Sequence, residues 1–295
     1  MNDSFKGLWP ALFTPVKEDG KVNEPELEKL IELVIRQQLD GIYLLGSTGQ
    51  GFLYSEEERR HIAALTLSIV KKRLPVIVHV GALSTHESIR LAKHAAQHGA
   101  DGISSVGPIY YVPSPEMGLE HYRKIASATN LPFFPYQIGN APMTDTMISE
   151  LLAIPTVKGM KLTTAAMLEI SNVRIKSKDQ WLLFSGADEL MCQAAVCGTV
   201  GAIGSTYNLF GPVCKYVRSA FVEGDIQLGI DFMIAFQELI LEILPCFWTF
   251  CRRAMQLRYN IDIGNPKSPL LAPDLNWTDK QIIEKVGQIE RFMPA

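Results

Sequence analysis

The chain has 295 residues, 28 Lys+Arg against 31 Asp+Glu for a formal charge of -3, and 47% hydrophobic residues. A chain of this size buries roughly three-quarters of its surface, so a large core is available and a disordered protein is excluded. With no basic surplus, the charge does not suggest nucleic acid or an anionic membrane as partner.

The N-terminal MNDSFKGLWPALFTPVKEDG has neither the basic start nor the long apolar stretch of a signal peptide. Short apolar, β-branched or aromatic runs then recur: LWPALFTP (8–15), GIYLLGS (41–47), PVIVHVG (75–81), DGISSVGP (101–108), PFFPYQI (132–138), VKGMKL (157–162), WLLFSG (181–186) and VGAIGS (200–205). Most are too short for helices and read as strands buried on both faces. Between them, helices open at Asn23 with Pro25 and at the capping-box spacings Ser55/Glu58 and Ser84/Glu87. Strands alternating with helices eight times over predict an α/β fold, a (β/α)8 TIM barrel, over a doubly wound open sheet, which has no reason to stop at eight. From about Asp225 the strand signal ends, and helices are expected near 225–243, 246–259 and 278–292. The expected organisation is one domain, a barrel over 1–224 with a C-terminal helical extension over 225–295. The apolar stretch near 240–250 is broken by Glu242 and Pro245 and is too short to span a bilayer. Cys192, Cys197, Cys214, Cys246 and Cys251 lack Cys-x-x-Cys spacing and read as free, buried thiols in a reducing cytoplasm.

A barrel enzyme sets its reacting groups where strands end and the following loops begin. By that rule strand two delivers Gly46-Ser47-Thr48-Gly49, strand four runs into Tyr110, and strand five ends at Tyr136. Strand six ends at Lys161 with Thr163, strand seven at Gly186-Ala187-Asp188-Glu189, and strand eight at Gly204-Ser205-Thr206. Lys161 is either an amine nucleophile whose pKa the barrel interior lowers or a cation that reaches the rim. Tyr136 is either a proton relay beside that amine or a rim aromatic. The GSTG turn is either a carboxylate cradle or simply a tight turn. Metal and phosphate motifs are missing: GSTGQG has no P-loop lysine, and His86-Glu87-Ser88-Ile89-Arg90 lacks the second histidine of a zinc helix. The six histidines, His61 to His121, read as solvated or core side chains.

With GSTG, Tyr110, Tyr136 and Lys161 together, the chain resembles the dihydrodipicolinate synthase/N-acetylneuraminate lyase superfamily over essentially its whole length. That resemblance implies a class I aldolase that handles pyruvate, assembles as a homotetramer and needs no metal or organic cofactor. It implies that Lys161 forms the Schiff base, that Tyr136 relays the proton, and that Tyr110 supports the relay near a subunit boundary. Ser47 and Thr48 would hold the pyruvyl carboxylate. Within the superfamily, GAIGSTYN (201–208) and Lys161-Leu162-Thr163 look like the lyase branch. Thr163, Gly186, Asp188, Glu189 and Ser205 match lyase positions that contact the hydroxylated part of the sugar. The synthase branch carries an arginine shortly after the relay tyrosine, whereas this chain has Gln137-Ile138-Gly139-Asn140-Ala141.

Two departures stand out. Gln50 replaces the usual glutamate, at a position read as structural, and QIGNAP (137–142) replaces the run of asparagine, isoleucine, proline and alanine usual after the relay tyrosine, with Pro135 preceding that tyrosine inside a central strand. The proline removes a ladder donor, so a local bulge is expected there. The leading expectation is reversible cleavage of N-acetylneuraminate to pyruvate and N-acetylmannosamine. The alternatives are an aldolase for another 2-keto-3-deoxy sugar acid, a synthase-like enzyme, and a non-catalytic sugar-acid sensor on the same barrel.

Overall fold

The structure is a computed structural model that describes residues 3–111, 114–139 and 143–294. Among these, the eight apolar runs form β1 (Gly7–Pro10), β2 (Ile42–Leu44), β3 (Val76–His79), β4 (Gly102–Val106), β5 (Phe133–Ile138), β6 (Gly159–Thr163), β7 (Leu182–Ser185) and β8 (Gly201–Gly204). They pair in parallel in the order β1-β8-β7-β6-β5-β4-β3-β2, and an Ala11↔Tyr43 bridge joins β1 to β2 and closes the sheet into a barrel. Parallel neighbours require crossovers. These are α1 (Glu24–Arg36), α2 (Glu56–Val70), α3 (Thr85–Gln97), α4 (Pro115–Ala126), α5 (Asp145–Leu152), α6 (Met167–Lys176), α7 (Met191–Val196) and α8 (Tyr207–Glu223). Three further helices follow, α9 (Ile226–Ile243), α10 (Phe247–Tyr259) and α11 (Asp279–Glu290).

The helix starts follow local chemistry. Ser55 Oγ accepts from the Glu58 amide while the Glu58 carboxylate accepts from the Ser55 amide, a complete capping box on α2. Ser84 Oγ accepts from the Glu87 amide at the start of α3. Asn23 makes no side-chain cap, and α1 begins on Pro25 alone. No helix among the described residues is long and apolar enough to cross a membrane. The thiols are free, with Cys197 only half-buried and the other four buried; burial pushes the Cys192 thiol up to about 11.

Two separate apolar layers hold the barrel. The outer one lies between strands and helices and includes Leu44, Val78, Ile103, Phe133 and Leu162. The inner one fills the barrel with Trp9, Ile77, Phe134, Leu182, Phe184 and Ile203, sealed below by Phe5. An eight-stranded barrel is only wide enough for its own side chains. Trp9 and Phe134 each meet Phe184 edge-on, at 6.3 and 5.8 Å between centroids. Glycine makes room for the largest ring: a Cβ on Gly41 would lie 2.3 Å from the Trp9 indole.

Pro135 does produce a bulge, and the extra residue is in β6. Phe133 lies opposite Val157 through an isolated bridge, whereas Tyr136 lies opposite Lys161. Three steps along β5 therefore face four along β6. The amide and carbonyl of Phe133 bond Thr156 O and Lys158 N, so two residues on, position 135 faces β6 as well. A proline there offers no donor, and β6 takes up the slack.

Gly41→Ala should lower stability by about 1–3 kcal/mol through overpacking against Trp9. Urea unfolding would show this as a lower midpoint at unchanged slope, and an unchanged midpoint would mean that the indole has room to move.

Candidate active site

One layer above the aromatic floor, β2, β3, β4, β5 and β6 turn Tyr43, His79, Ser104, Tyr136 and Lys161 into the barrel. Lys161 is 5% exposed and Tyr136 4%, which removes the two rim readings. Lys161 Nζ stands 4.3 Å from the centroid of the Tyr136 ring and 4.7 Å from that of Tyr43. Two aromatic faces attract an ammonium by their quadrupoles but leave an amine's lone pair unclaimed. Among the described residues no carboxylate forms an ion pair with Lys161. The Tyr136 hydroxyl lies 3.2 Å from Thr163 Oγ1, two residues along from the lysine. Gly186, at the end of β7, permits this packing: a Cβ there would fall 1.9 Å from Thr163 Oγ1 and 2.8 Å from Lys161 Cε.

Tyr43 and His79 are the residues that strand-end reasoning missed. Tyr43 lies in the middle of β2, while His79 ends β3 but belongs to a set of histidines that the sequence reads as solvated or core side chains. Tyr43 donates to Ser104 Oγ at 2.9 Å, and burial holds its phenol well above the ordinary tyrosine value. His79 is buried and accepts from the Val106 amide through Nε2 at 3.1 Å. Burial first, then the charges of Arg59 and Lys161, drive its pKa far below the ordinary imidazole value.

The GSTG turn is built by bonds from Gln50 N to Ser47 O and from Gly51 N to Gly46 O. Among the described residues the Ser47 and Thr48 amides donate to no protein acceptor, as a carboxylate cradle requires. Thr48 is buried with its hydroxyl 2.6 Å from Ser205 Oγ, while Ser47 is exposed. Gln50 takes a left-handed φ of 56° and accepts from the Lys267 amide at 2.6 Å, so the turn is anchored by the segment after α10. That agrees with a structural role for Gln50.

Asp188, Glu189, Thr163, Gly186 and Ser205 border a cavity of about 180 Å³, whose Thr163 touches Tyr136 and whose Gly186 packs by Lys161. Its far wall is apolar and comes from the C-terminal helices, with Ile240, Leu244 and Phe247. No motif in the sequence assigns these three to the mouth. Asp188 is buried, and its Oδ2 accepts from both the amide and the hydroxyl of Thr206, at 2.8 and 2.6 Å. Burial raises its pKa to about 6 against the lowering effect of those bonds. The Glu189 backbone carbonyl accepts from Gln237 of α9 at 2.7 Å.

Tyr110 is not brought to this group within the chain. It is 78% exposed, and its ring packs edge-on against Tyr111. Of the QIGNAP segment, Gln137, Ile138 and Gly139 finish β5 and its exit, and Asn140, Ala141 and Pro142 lie outside the described residues.

Residues 4–249 match the family model described as the dihydrodipicolinate synthetase family. The chain is 35% identical over 231 residues to the N-acetylneuraminate lyase of Escherichia fergusonii, covering 77% of each. The N-acetylneuraminate lyase structure from Fusobacterium nucleatum superposes with a TM-score of 0.88 at 27% identity, over 99% of this chain and 100% of that one. A catalytic lysine mutant of the Ruminococcus gnavus sialic acid aldolase gives 0.93 at 22% identity, over 99% and 98%, a likeness of fold.

Because the folded pKa of Asp188 is raised, the native state binds the extra proton between the unfolded value near 3.8 and about 6. Its contribution to stability is present below that window and lost as pH rises through it, with a slope of up to roughly 1.4 kcal/mol per pH unit. Unfolding of wild type and Asp188→Asn measured from pH 4 to 7 should show wild type losing stability relative to the variant. Parallel stability curves would contradict the buried-acid assignment.

Proposed function

Because the chain belongs to the dihydrodipicolinate synthetase family, it is a carbon–carbon lyase of the synthase/lyase aldolase type, and we propose that it cleaves N-acetylneuraminate to pyruvate and N-acetylmannosamine through a Schiff base on Lys161. The observation that carries this reading is the buried Lys161 amine, held between two tyrosine rings with no carboxylate paired to it among the described residues.

The Lys161 amine adds to the ketone at carbon 2 of the open-chain sugar acid, and loss of water leaves a protonated Schiff base. Tyr136, together with the substrate carboxylate, takes the proton of the carbon 4 hydroxyl. The carbon 3–carbon 4 bond breaks, and its electron pair neutralises the iminium to give an enamine. Protonation at carbon 3 and hydrolysis release pyruvate and restore the amine. The Thr163 hydroxyl sets the direction of the phenol. Ser47 and Thr48 hold the carboxylate on hydroxyls and on amides that no acceptor among the described residues engages.

Asp188, Glu189 and Ser205 face the hydroxylated tail, and the apolar wall of Leu244 and Phe247 suits an acyl methyl group. Since Asp188 Oδ2 is committed to Thr206, Glu189 is the freer acceptor. Tyr110 joins the relay only across a subunit boundary of a homotetramer. Support for assembly is the stripe of exposed Ile226, Ile230, Ile234 and Leu241 along α9. Free thiols support a cytoplasmic location. The second reading, an aldolase for a different 2-keto-3-deoxy sugar acid, is favoured by the Gln137-Ile138-Gly139 departure beside the relay tyrosine.

Incubation with pyruvate and borohydride, followed by peptide mapping, should label Lys161 and no other lysine. Lys161→Arg should abolish the label, since a guanidinium stays protonated. An unlabelled Lys161 peptide defeats the Schiff-base mechanism. Tyr136→Phe should slow turnover by roughly 10²–10⁴-fold while the protein still binds pyruvate. Turnover within a few-fold of wild type would assign the proton to another group. Glu189→Gln should weaken cleavage of N-acetylneuraminate far more than pyruvate labelling. Wild-type protein that ignores N-acetylneuraminate but cleaves a shorter keto-deoxy acid would move the assignment to the second reading.

A further inference from the structure

We infer that His79 is a positioning residue for the aldolase site, its imidazole ending the β4 ladder and bracing Tyr136 against Lys161. The role rests on the reading of Lys161 and Tyr136 just given.

β3 stops at His79, opposite Ser104, while β4 continues to Val106. The Val106 amide therefore has no β3 carbonyl left to bond, and His79 Nε2 takes its place at 3.1 Å. Val106 is the register partner of Tyr136. The imidazole thus fixes the strand position beside the relay tyrosine through a hydrogen bond. It also touches the ring itself: His79 and Tyr136 meet edge-on with centroids 6.3 Å apart, and His79 tilts against Tyr43 at 6.2 Å. Those are the two rings that hold the Lys161 amine.

The back of the imidazole is braced as well. Phe52 packs edge-on at 5.6 Å, and the buried Arg59 donates to the carbonyls of His79 and Gly81 at 2.9 and 2.8 Å. A Cβ on Gly81 would come within 2.9 Å of His79 Cε1, so the ring position requires glycine there. Every charged or titratable neighbour of the ring points to one protonation state. Arg59 of α2 is a cation and Lys161 of β6 carries the positive charge of the Schiff base, Tyr43 of β2 and Tyr136 of β5 are phenols, and among the described residues no carboxylate pairs with it. Nε2 must accept, so the single ring proton sits on Nδ1, and the Leu45 backbone lies by the ring. An imidazolium would lose the Val106 bond and place a second positive charge beside the Schiff base.

The test uses the full chain and needs only pyruvate. Enamine formation and its reversal exchange the methyl protons of pyruvate into deuterated water, which proton NMR follows. His79→Phe keeps a ring and loses the acceptor, whereas His79→Gln keeps an uncharged acceptor and loses the ring. His79→Phe should lower kcat for exchange about tenfold or more, the scale of a sub-ångström to ångström misplacement, with KM for pyruvate within about threefold. Borohydride should still label Lys161 in this variant. His79→Gln should recover several-fold of the lost kcat, a rescue that loss of packing alone does not explain. If His79→Phe fails to fold, His79→Gln decides alone: a kcat reduced several-fold at unchanged KM supports the role. Wild-type kcat in the folded variants, or a loss confined to KM, overturns it. Wild-type protein that neither exchanges nor labels defeats the aldolase reading itself, and the role of His79 falls with it.

Discussion

The mouth of this barrel depends on how its interior is filled. Eight parallel strands enclose a space that side chains alone must occupy, and here the lower half is taken by aromatic rings, packed mostly edge-on, with aliphatic side chains between them. On that floor stand Tyr43 and Tyr136, and between their faces the Lys161 amine finds attraction without a counter-ion among the described residues. A carboxylate in the same place would hold the lysine as a cation in a fixed pair. Two rings hold the stem and leave the nitrogen able to change its bonding. The small residues follow from the same crowding. Gly41 gives way to Trp9, and Gly186 to Lys161 and Thr163.

The parts of this arrangement legible in the sequence are those that local chemistry decides. Each apolar run became a strand because its length suits nothing else in a barrel wall, and Ser55 and Ser84 mark their helices through bonds only three residues long. Lys161 and Tyr136 are legible because a polar group two residues short of the end of an apolar strand is costly without a purpose. Tyr43 and His79 are harder to read. Strands buried on both faces lack the alternation that distinguishes inside from outside, so an inward tyrosine looks the same as an outward one. Phe247, Leu244 and Gln237 reach the mouth from α10, the turn before it and α9 across some fifty residues of chain, and no periodicity encodes that. Tyr110 is legible as a strand-end aromatic, yet within one chain it points to solvent.

The helices after residue 225 are part of the site's construction. Gln237 holds the carbonyl of Glu189, the backbone of Lys267 holds Gln50, and Lys267 Nζ lies 4.0 Å from the centroid of the Tyr54 ring just beyond that turn. Two strand-end loops on different sides of the barrel are thereby tied to segments that follow it in sequence. Loops that carry function need such external support, since their own backbones hold few internal bonds.

Pro135 bears on this in a way that concerns the chain's alternatives as much as its native state. Were β5 and β6 to continue in the register set by Phe133 and Val157, Met160 would face Tyr136, and Lys161 would turn outward into the helical layer. A shift of one residue exchanges every side chain between the two faces of a strand. The two registers differ by one hydrogen-bonding position, and the proline withholds a donor from the wrong one. A residue with no hand in catalysis thus acts as a frame setter, choosing which face of β6 the barrel interior receives.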